Sequence, residues 1–320
     1  MSETVLAVDL GGTNLRTAGV GADGTISVRV QERTPESKSS ADVVAVVSRS
    51  IGECLLEMPV KPEAVALAVP GTIGANSGIV NRAPNIPGLD GFDLEHAVSE
   101  ACGLPVIIEN DANAAAVGES WLGSSKGAAT SIMVTLGTGV GGGIIIDGKL
   151  VRGLDGTAGE IGHVCVEPNG PVCGCGSHGC VEQYSSASAV VRMARDAIEK
   201  NPSLERSGLE AEGSKWVFDA AVAGEPWAKR IFEVQGYYLG IVLAGLVNTL
   251  NPEVVVIGGG AAAAWDEFYP VLEDQVLKRT YAEASARARI VPAALGDNAG
   301  ILGAAHLGFK RVRSKTDVAV

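Results

Sequence analysis

Short apolar runs that stop abruptly at glycine, asparagine or aspartate recur along the chain, and they predict buried strands whose carboxyl ends carry polar residues. Residues 4 to 10, TVLAVDL, run apolar to Asp9, break at Gly11 and Gly12 and resume as LRTAGV, a pattern of strand, tight turn, strand. The ADG at 22 to 24 reads as a hairpin turn into ISVRV. Val44, Val47, Ile51 and Leu55 recur at helical spacing within residues 42 to 57, predicting a helix laid against the sheet. AVALAVPG at 64 to 71 is a buried strand stopped by Pro70 and Gly71, and GIVNRAPN ends at Asn85 in a loop before a helix begun by Asp93. VIIEN at 106 to 110 is the next strand, and it delivers Asn110 and Asp111 at its carboxyl end.

Residues 130 to 151 repeat the opening theme with an apolar strand, the glycine loop GTGVGGG, a second strand, an Asp-Gly turn and further strand. Two copies of strand, glycine turn, strand suggest a duplicated architecture. SSASAVVRMARDAIEK reads as a helix, residues 201 to 214 as a polar spacer, and 225 to 250 as a long, nearly all-apolar helix suited to burial. EVVVIGGG at 253 to 260 is a third strand ending in glycines, ARIVPAAL a further strand, DNAGILGAAHLGF a closing helix, and KRVRSKTDVAV a frayed tail.

Ligands in open α/β sheets gather at the carboxyl ends of strands, which puts Asp9, Asn110 and Asp111 where chemistry is expected. Asp111 suits a second role equally, as N-cap of the helix DANAAAVGESWL. Around Gly11 and Gly12, successive backbone amides can point into one concavity and hold a phosphate, with Thr13 and Asn14 adding side-chain donors.

Composition narrows the partners. At 320 residues, 46% of them hydrophobic and 19% charged, the chain is globular and long enough for two domains. A formal net charge of −12 argues against a nucleic-acid or anionic-membrane surface, so any anionic ligand must be held locally. The opening MSETVLAVDL has no basic leader, and no stretch approaches about 18 uninterrupted apolar residues, so neither export nor a membrane span is indicated and a cytoplasmic protein is expected. Cys54 and Cys102 read as buried thiols without a role.

The densest chemistry lies in Gly159 to Glu182, GEIGHVCVEPNGPVCGCGSHGCVE. Cys173, Cys175 and Cys180 stand as C-x-C-x4-C, and with a histidine they make the closed tetrahedral set that zinc favours. His163 and His178 both lie in reach; spacing favours His163, because a residue trapped between Cys175 and Cys180 is badly placed to close a tetrahedron. Four protein ligands leave no open position, so the metal is a structural staple. Redox chemistry is the alternative, although C-x-C is not the usual C-x-x-C spacing.

DLGGTN (9 to 14), ENDAN (109 to 113), LGTGVGGG (136 to 143), GEIGH (159 to 163) and CGCGSHGCVEQ (173 to 183) together resemble the ROK family of sugar kinases and repressors, with its bacterial glucokinases the nearest match. The resemblance implies the actin-like ATPase (ribonuclease H-like) fold, an α/β class with two α/β domains around a cleft. Residues 1–111 plus 298–320 would form a small domain to which the C-terminal helix returns, and 112–297 a large domain with the zinc loop and a dimerisation surface. It implies ATP-dependent phosphorylation of the 6-hydroxyl of glucose or a related hexose in a homodimer, with magnesium and structural zinc.

The same resemblance assigns residues. Asp111 resembles the catalytic base; Gly71, Asn85, Asn110, Glu160, His163 and Glu182 the sugar contacts. Gly11, Gly12, Thr13 and Asn14 with Gly137, Thr138 and Gly139 resemble the two phosphate loops, Gly258 and Gly259 the adenosine contact, and Asp9 a partner of magnesium through its waters. His163, Cys173, Cys175 and Cys180 match the family's zinc set. A hexose offers a ring of hydroxyl donors, so Glu160 and Glu182 are natural clamps, and a metal on one nitrogen of His163 leaves the other for the sugar.

Overall fold

The apolar runs become strands whose ends are the polar residues that stop them. The structure, a computed structural model, describes residues 3–74, 77–201, 204, 207–285 and 287–318. Strand β1 (Thr4–Leu10) pairs antiparallel with β2 (Asn14–Gly21), from Thr4 opposite Gly21 to Leu10 opposite Leu15. The sheet extends through β3 (Ile26–Arg33) on one side and β4 (Val65–Val69) on the other. Strands β5 (Thr72–Ile73), β6 (Ile79–Arg82) and β7 (Phe92–Asp93) make a small antiparallel sheet, and β8 (Val106–Asn110) pairs parallel with β4. The main order is β3-β2-β1-β4-β8, so the parallel strands β1, β4 and β8 share one carboxyl end.

Helices cover this sheet because their apolar stripes match its two faces. Ser40–Glu57, capped by the Ser39 side chain accepting from the Asp42 amide, buries Val43, Val47 and Ile51 with Leu6, Val8 and Leu67. Asp111–Leu122 and Ala299–Val318 bring Ala114, Ile301 and Ala305 to the face of Val5, Ala7 and Ala66. These two helices touch backbone to backbone. A Cβ on Gly303 would stand 1.6 Å from the Ala114 carbonyl oxygen, and one on Gly118 would stand 2.3 Å from that of Ala299.

The second sheet repeats the plan. Strands β9 (Ser131–Leu136), β10 (Val140–Ile146), β11 (Lys149–Leu150), β12 (Val254–Gly258) and β13 (Arg289–Pro292) take the order β11-β10-β9-β12-β13, with β12 parallel to β9 and β13. Its core joins Ile132, Val134, Val255 and Ile257 to the helix Pro226–Leu250 through Leu239, Leu243 and Val247. That helix is long and apolar enough to cross a membrane by length and composition, yet it packs these residues into the core.

Chain contacts define two compact units, Met1–Ala129 with Gly143–Gly159 and Ala294–Val320, and Thr130–Gly142 with Glu160–Ala293. The division differs from the expected 1–111 plus 298–320 against 112–297, because Asp111–Leu122 packs on the closing helix and Gly143 fits against Ala116, where a Cβ would lie 2.6 Å away. Two local expectations also change. The closing helix runs on to Val318 where a frayed tail was expected, and the spacer at 201 to 214 contains the helix Ser207–Glu212, while Pro202, Ser203, Glu205 and Arg206 lie outside the described residues.

The glycine crossing gives a prediction whose sign decides it. Helix propensity alone would make Gly303→Ala stabilising by about 1 kcal/mol. Overpacking against the Ala114 carbonyl should instead destabilise the protein by about 1–3 kcal/mol. A denaturant midpoint at or above that of the parent would refute the crossing.

Candidate active site

The first unit gathers its polar residues at the shared carboxyl end of β1, β4 and β8. The turn after β1 is closed by the Gly11 amide donating to the Asn14 carbonyl (2.8 Å) and pinned by Thr34 Oγ1 donating to the Gly11 carbonyl (2.6 Å). Thr13 and Asn14 are exposed at its tip. A Cβ on Gly12 would meet the Asn85 side chain at 3.2 Å, so Asn85 lies directly against this turn. Asp9 faces Arg16 at 3.6 Å, and Arg16 also holds Asp297 at 3.1 Å. Burial pushes the Asp9 carboxyl up, Arg16 pulls it back and Asp297 pushes it up again.

After β4, Gly71 takes φ +111°, where a Cβ would collide with the Arg82 carbonyl oxygen at 2.1 Å. Its own carbonyl accepts from Asn110 Nδ2 at 2.8 Å. Asn110, not Asp111, is the N-cap of the helix Asp111–Leu122: its Oδ1 accepts from the Asn113 amide at 2.9 Å. Asp111 is therefore the first helical residue, with its carboxylate in the positive end of the helix dipole and accepting from the Ala112 amide at 2.8 Å.

This junction hangs on a residue the motif contained but the sequence reading passed over. Glu109 is 6% exposed, and it accepts from the Asn110 amide (3.1 Å), Asn113 Nδ2 (3.0 Å) and Arg152 Nε (2.7 Å). Asn113 is its neighbour at i+4, the one signal that could have linked the two. Arg152 follows β11, and nothing in its spacing connects it to β8.

In the second unit, the Gly137 amide donates to the Gly139 carbonyl at 2.9 Å, making a tight turn with Thr138 exposed. Glu182 lies directly over Gly139, where a Cβ would stand 2.4 Å from Glu182 Oε2, and that oxygen accepts from the Val140 amide at 3.0 Å. At the end of β12, Gly259 has φ +86° and no room for a Cβ, 2.4 Å from the Leu136 carbonyl oxygen. Gly258 and Gly259 thus lie beside the end of β9, from which the 137–139 turn departs.

The ligand atoms of His163, Cys173, Cys175 and Cys180 lie within 4.8 Å of one another, and exposed His178 is outside the group. Cys173 Sγ is 3.6 Å from His163 Nδ1, and Cys175 Sγ is 3.7 Å from Cys180 Sγ. An ion with bonds of about 2.3 Å to sulfur and about 2.0–2.1 Å to nitrogen needs tetrahedral edges of about 3.6–3.8 Å, so the donor set fits. Burial pushes the Cys180 thiol up to about 12 and raises Cys173, while the Ser177 amide lowers Cys175. Only a cation lets three crowded sulfurs ionise together.

His163 thereby presents Nδ1 to the sulfurs and Nε2 to Glu160 Oε2, at 3.7 Å. Partial burial raises the Glu160 carboxyl, with His163 pulling it down and Glu182 pushing it up. Each unit therefore carries a glycine turn rich in donors beside carboxylate and amide groups, a set able to hold phosphates and hydroxyls.

The sequence profile of the ROK family matches residues 5–311. The glucokinase of Thermotoga maritima is 37% identical over 315 residues, which cover 96% of this chain and 98% of that protein. An N-acetylmannosamine kinase of Escherichia coli is 33% identical over 305 residues, covering 95% and 98%. The crystal structure of a ROK family glucokinase from Streptomyces griseus in complex with glucose and AMPPNP superimposes with a TM-score of 0.83 at 34% identity, covering 95% of this chain and 98% of that one.

The sulfur and imidazole geometry predicts one divalent, thiol-seeking metal per chain. Cys180→Ser should bring the metal content measured by elemental mass spectrometry close to zero and expose the 163–180 loop to proteolysis. A metal-free wild-type protein with that loop intact would overturn the assignment.

Proposed function

The chain belongs to the ROK family and has its actin-like fold of α/β domains, and from that premise we propose that it is an ATP-dependent glucokinase, transferring the γ-phosphoryl group of ATP to the 6-hydroxyl of glucose. One observation carries the reading. Asp111 stands at the carboxyl end of β8, in the same sheet whose β1–β2 turn offers the DLGGTN donors, and Glu109, Asn110 and Asn113 fix its backbone.

Phosphoryl transfer needs positioning and charge neutralisation more than covalent help. Asp111 accepts a hydrogen bond from the 6-hydroxyl and takes its proton as the oxygen approaches phosphorus. Asn85, Asn110 and the Gly71 turn are the candidate sugar contacts of the first unit, and Glu160, His163 Nε2 and Glu182 are those of the second. The turns at Gly11–Asn14 and Gly137–Gly139 hold phosphates through backbone amides, and Gly258 and Gly259 leave room for the adenosine. Magnesium, when bound with the nucleotide, neutralises its phosphate charge, and Asp9 is the residue suited to that ion's waters. His163, Cys173, Cys175 and Cys180 hold zinc as a structural ion, since four protein ligands leave no open position. A cytoplasmic homodimer completes the reading, supported by the apolar groove of Val164, Val166, Ile241 and Leu246 along the helix Pro226–Leu250.

N-acetylmannosamine is the second reading, favoured by the 33% identity to the E. coli kinase but below the 37% to the T. maritima glucokinase. ADP release measured across glucose, other hexoses and N-acetylmannosamine, with ATP and polyphosphate as donors, separates the two: glucose with ATP should give the highest kcat/KM. Asp111→Asn should lower turnover by about two to four orders of magnitude with little change in glucose affinity or melting temperature. Near-parental turnover in that folded variant would remove the catalytic role and leave a sugar-binding regulator as the better reading.

A further inference from the structure

The first unit contains a cavity of about 970 Å³ away from the turns just described. It runs along the free edge of β8, the last strand of its sheet, between the back of the helix Asp111–Leu122, the β10–β11 turn and the final turns of the closing helix. Its apolar lining includes Ile107, Ile108, Ile145, Leu150 and Leu307. None of Asp9, Gly11–Asn14, Gly71, Asn85, Asn110 or Asp111 contributes to it.

The charge of this cavity runs against that of the chain. In a protein of net charge −12, its wall carries Lys126, Lys149, Lys310 and Arg311, and none of the four has an ion-pair partner among the described residues. Arg152 also lines it but is bound to Glu109, which leaves Glu95 as the remaining carboxylate. The cations come from three separate segments, so their convergence is a property of the fold rather than of one basic run. Trp121 packs against His306 in the same wall, the rings tilted by 35° with 4.8 Å between centroids. Burial first, then Lys310 and Arg313, push that imidazole down to about 4.

Four like charges held around one concave space repel one another, and they are stabilised when an anion occupies it. The volume lies in the range of small-molecule sites. We propose that this cavity binds a small organic phosphate bearing at least two negative charges, its phosphates meeting Lys149, Lys310, Arg311 and Lys126 and its body lying on the isoleucine floor. The site is separate from the one that binds the nucleotide and sugar. It borders Glu109 and the helix that begins at Asp111, so its occupant contacts the scaffold of the active site without entering it.

Calorimetric titration with fructose 1,6-bisphosphate tests this, using full-length protein pre-saturated with glucose and AMPPNP so that the catalytic site is filled. The expected result is one bisphosphate per chain, with affinity falling as sodium chloride is added. In Lys149→Gln/Lys310→Gln/Arg311→Gln, all exposed positions, affinity should fall by about tenfold or more from the loss of three charges near the anion, with melting temperature and kcat unchanged. No binding at millimolar bisphosphate, or equal binding by parent and variant, overturns the proposal. If glucose and AMPPNP fail to bind, the function proposed above fails, but the comparison of parent with variant still reads the cavity.

Discussion

The end of the first unit that carries Asp111 depends on how a buried carboxylate is satisfied. Glu109 is out of water, and a carboxylate there is costly unless donors surround it. It takes the Asn110 amide, the Asn113 side chain and Arg152, and these bonds fix the strand-to-helix junction that carries Asp111. Arg152 arrives on the segment after β11, far along the chain, which is one reason that segment groups with the first unit. Remove Arg152 and Glu109 keeps only neutral donors, so the orientation of Asp111 loosens before any atom of Asp111 is touched.

The second unit has a different anchor with the same logic. Glu182 accepts from Val140, its other oxygen lies 3.7 Å from Cys173 Sγ, and His163 bridges the sulfurs to Glu160. A metal at the sulfurs would therefore fix the 137–139 turn and the carboxylates of Glu160 and Glu182 at once. The glycines make this compactness possible. At Gly179 a Cβ would stand 1.6 Å from the Glu167 carbonyl oxygen, and at Gly162 2.0 Å from that of Val140, so both positions serve close backbone approach.

Much of this was legible in the chain, for physical reasons. Strands that end in Asn110 or Gly258, or one residue past Asp9, announce themselves because an apolar run must stop where the sheet ends, and β8 matches its expected span, residue for residue. The cysteine spacing showed a metal set, but the choice between His163 and His178 required the fold, since only tertiary structure brings a residue from outside the loop to its sulfurs. The cap at Asp111 was misplaced by one residue because Asn and Asp cap equally well and stood side by side. Arg152 was invisible because an ion pair separated by 43 residues leaves no period. The unit boundary failed for a related reason: the helix Asp111–Leu122 is rich in alanine and shows no strong stripe, so its packing partner could not be read from the pattern.

Net charge sets the last constraint. A chain at −12 repels a nucleotide at long range, but in physiological salt that repulsion decays over about 8 Å, so affinity must be built from groups in contact. On the proposed reading both glycine turns would do this with neutral backbone amides, which attract phosphate without adding lysines that would pair with the nearby carboxylates. Asp9 would be a liability beside a bound phosphate, since it adds negative charge; Arg16 offsets it in the protein alone, and a divalent cation bound with the nucleotide would turn it into an attraction. The four cations of the β8 cavity, which have no ion-pair partner among the described residues, have no such counterweight. They outnumber the carboxylates of the same wall, so a ligand anion is the group that would complete them.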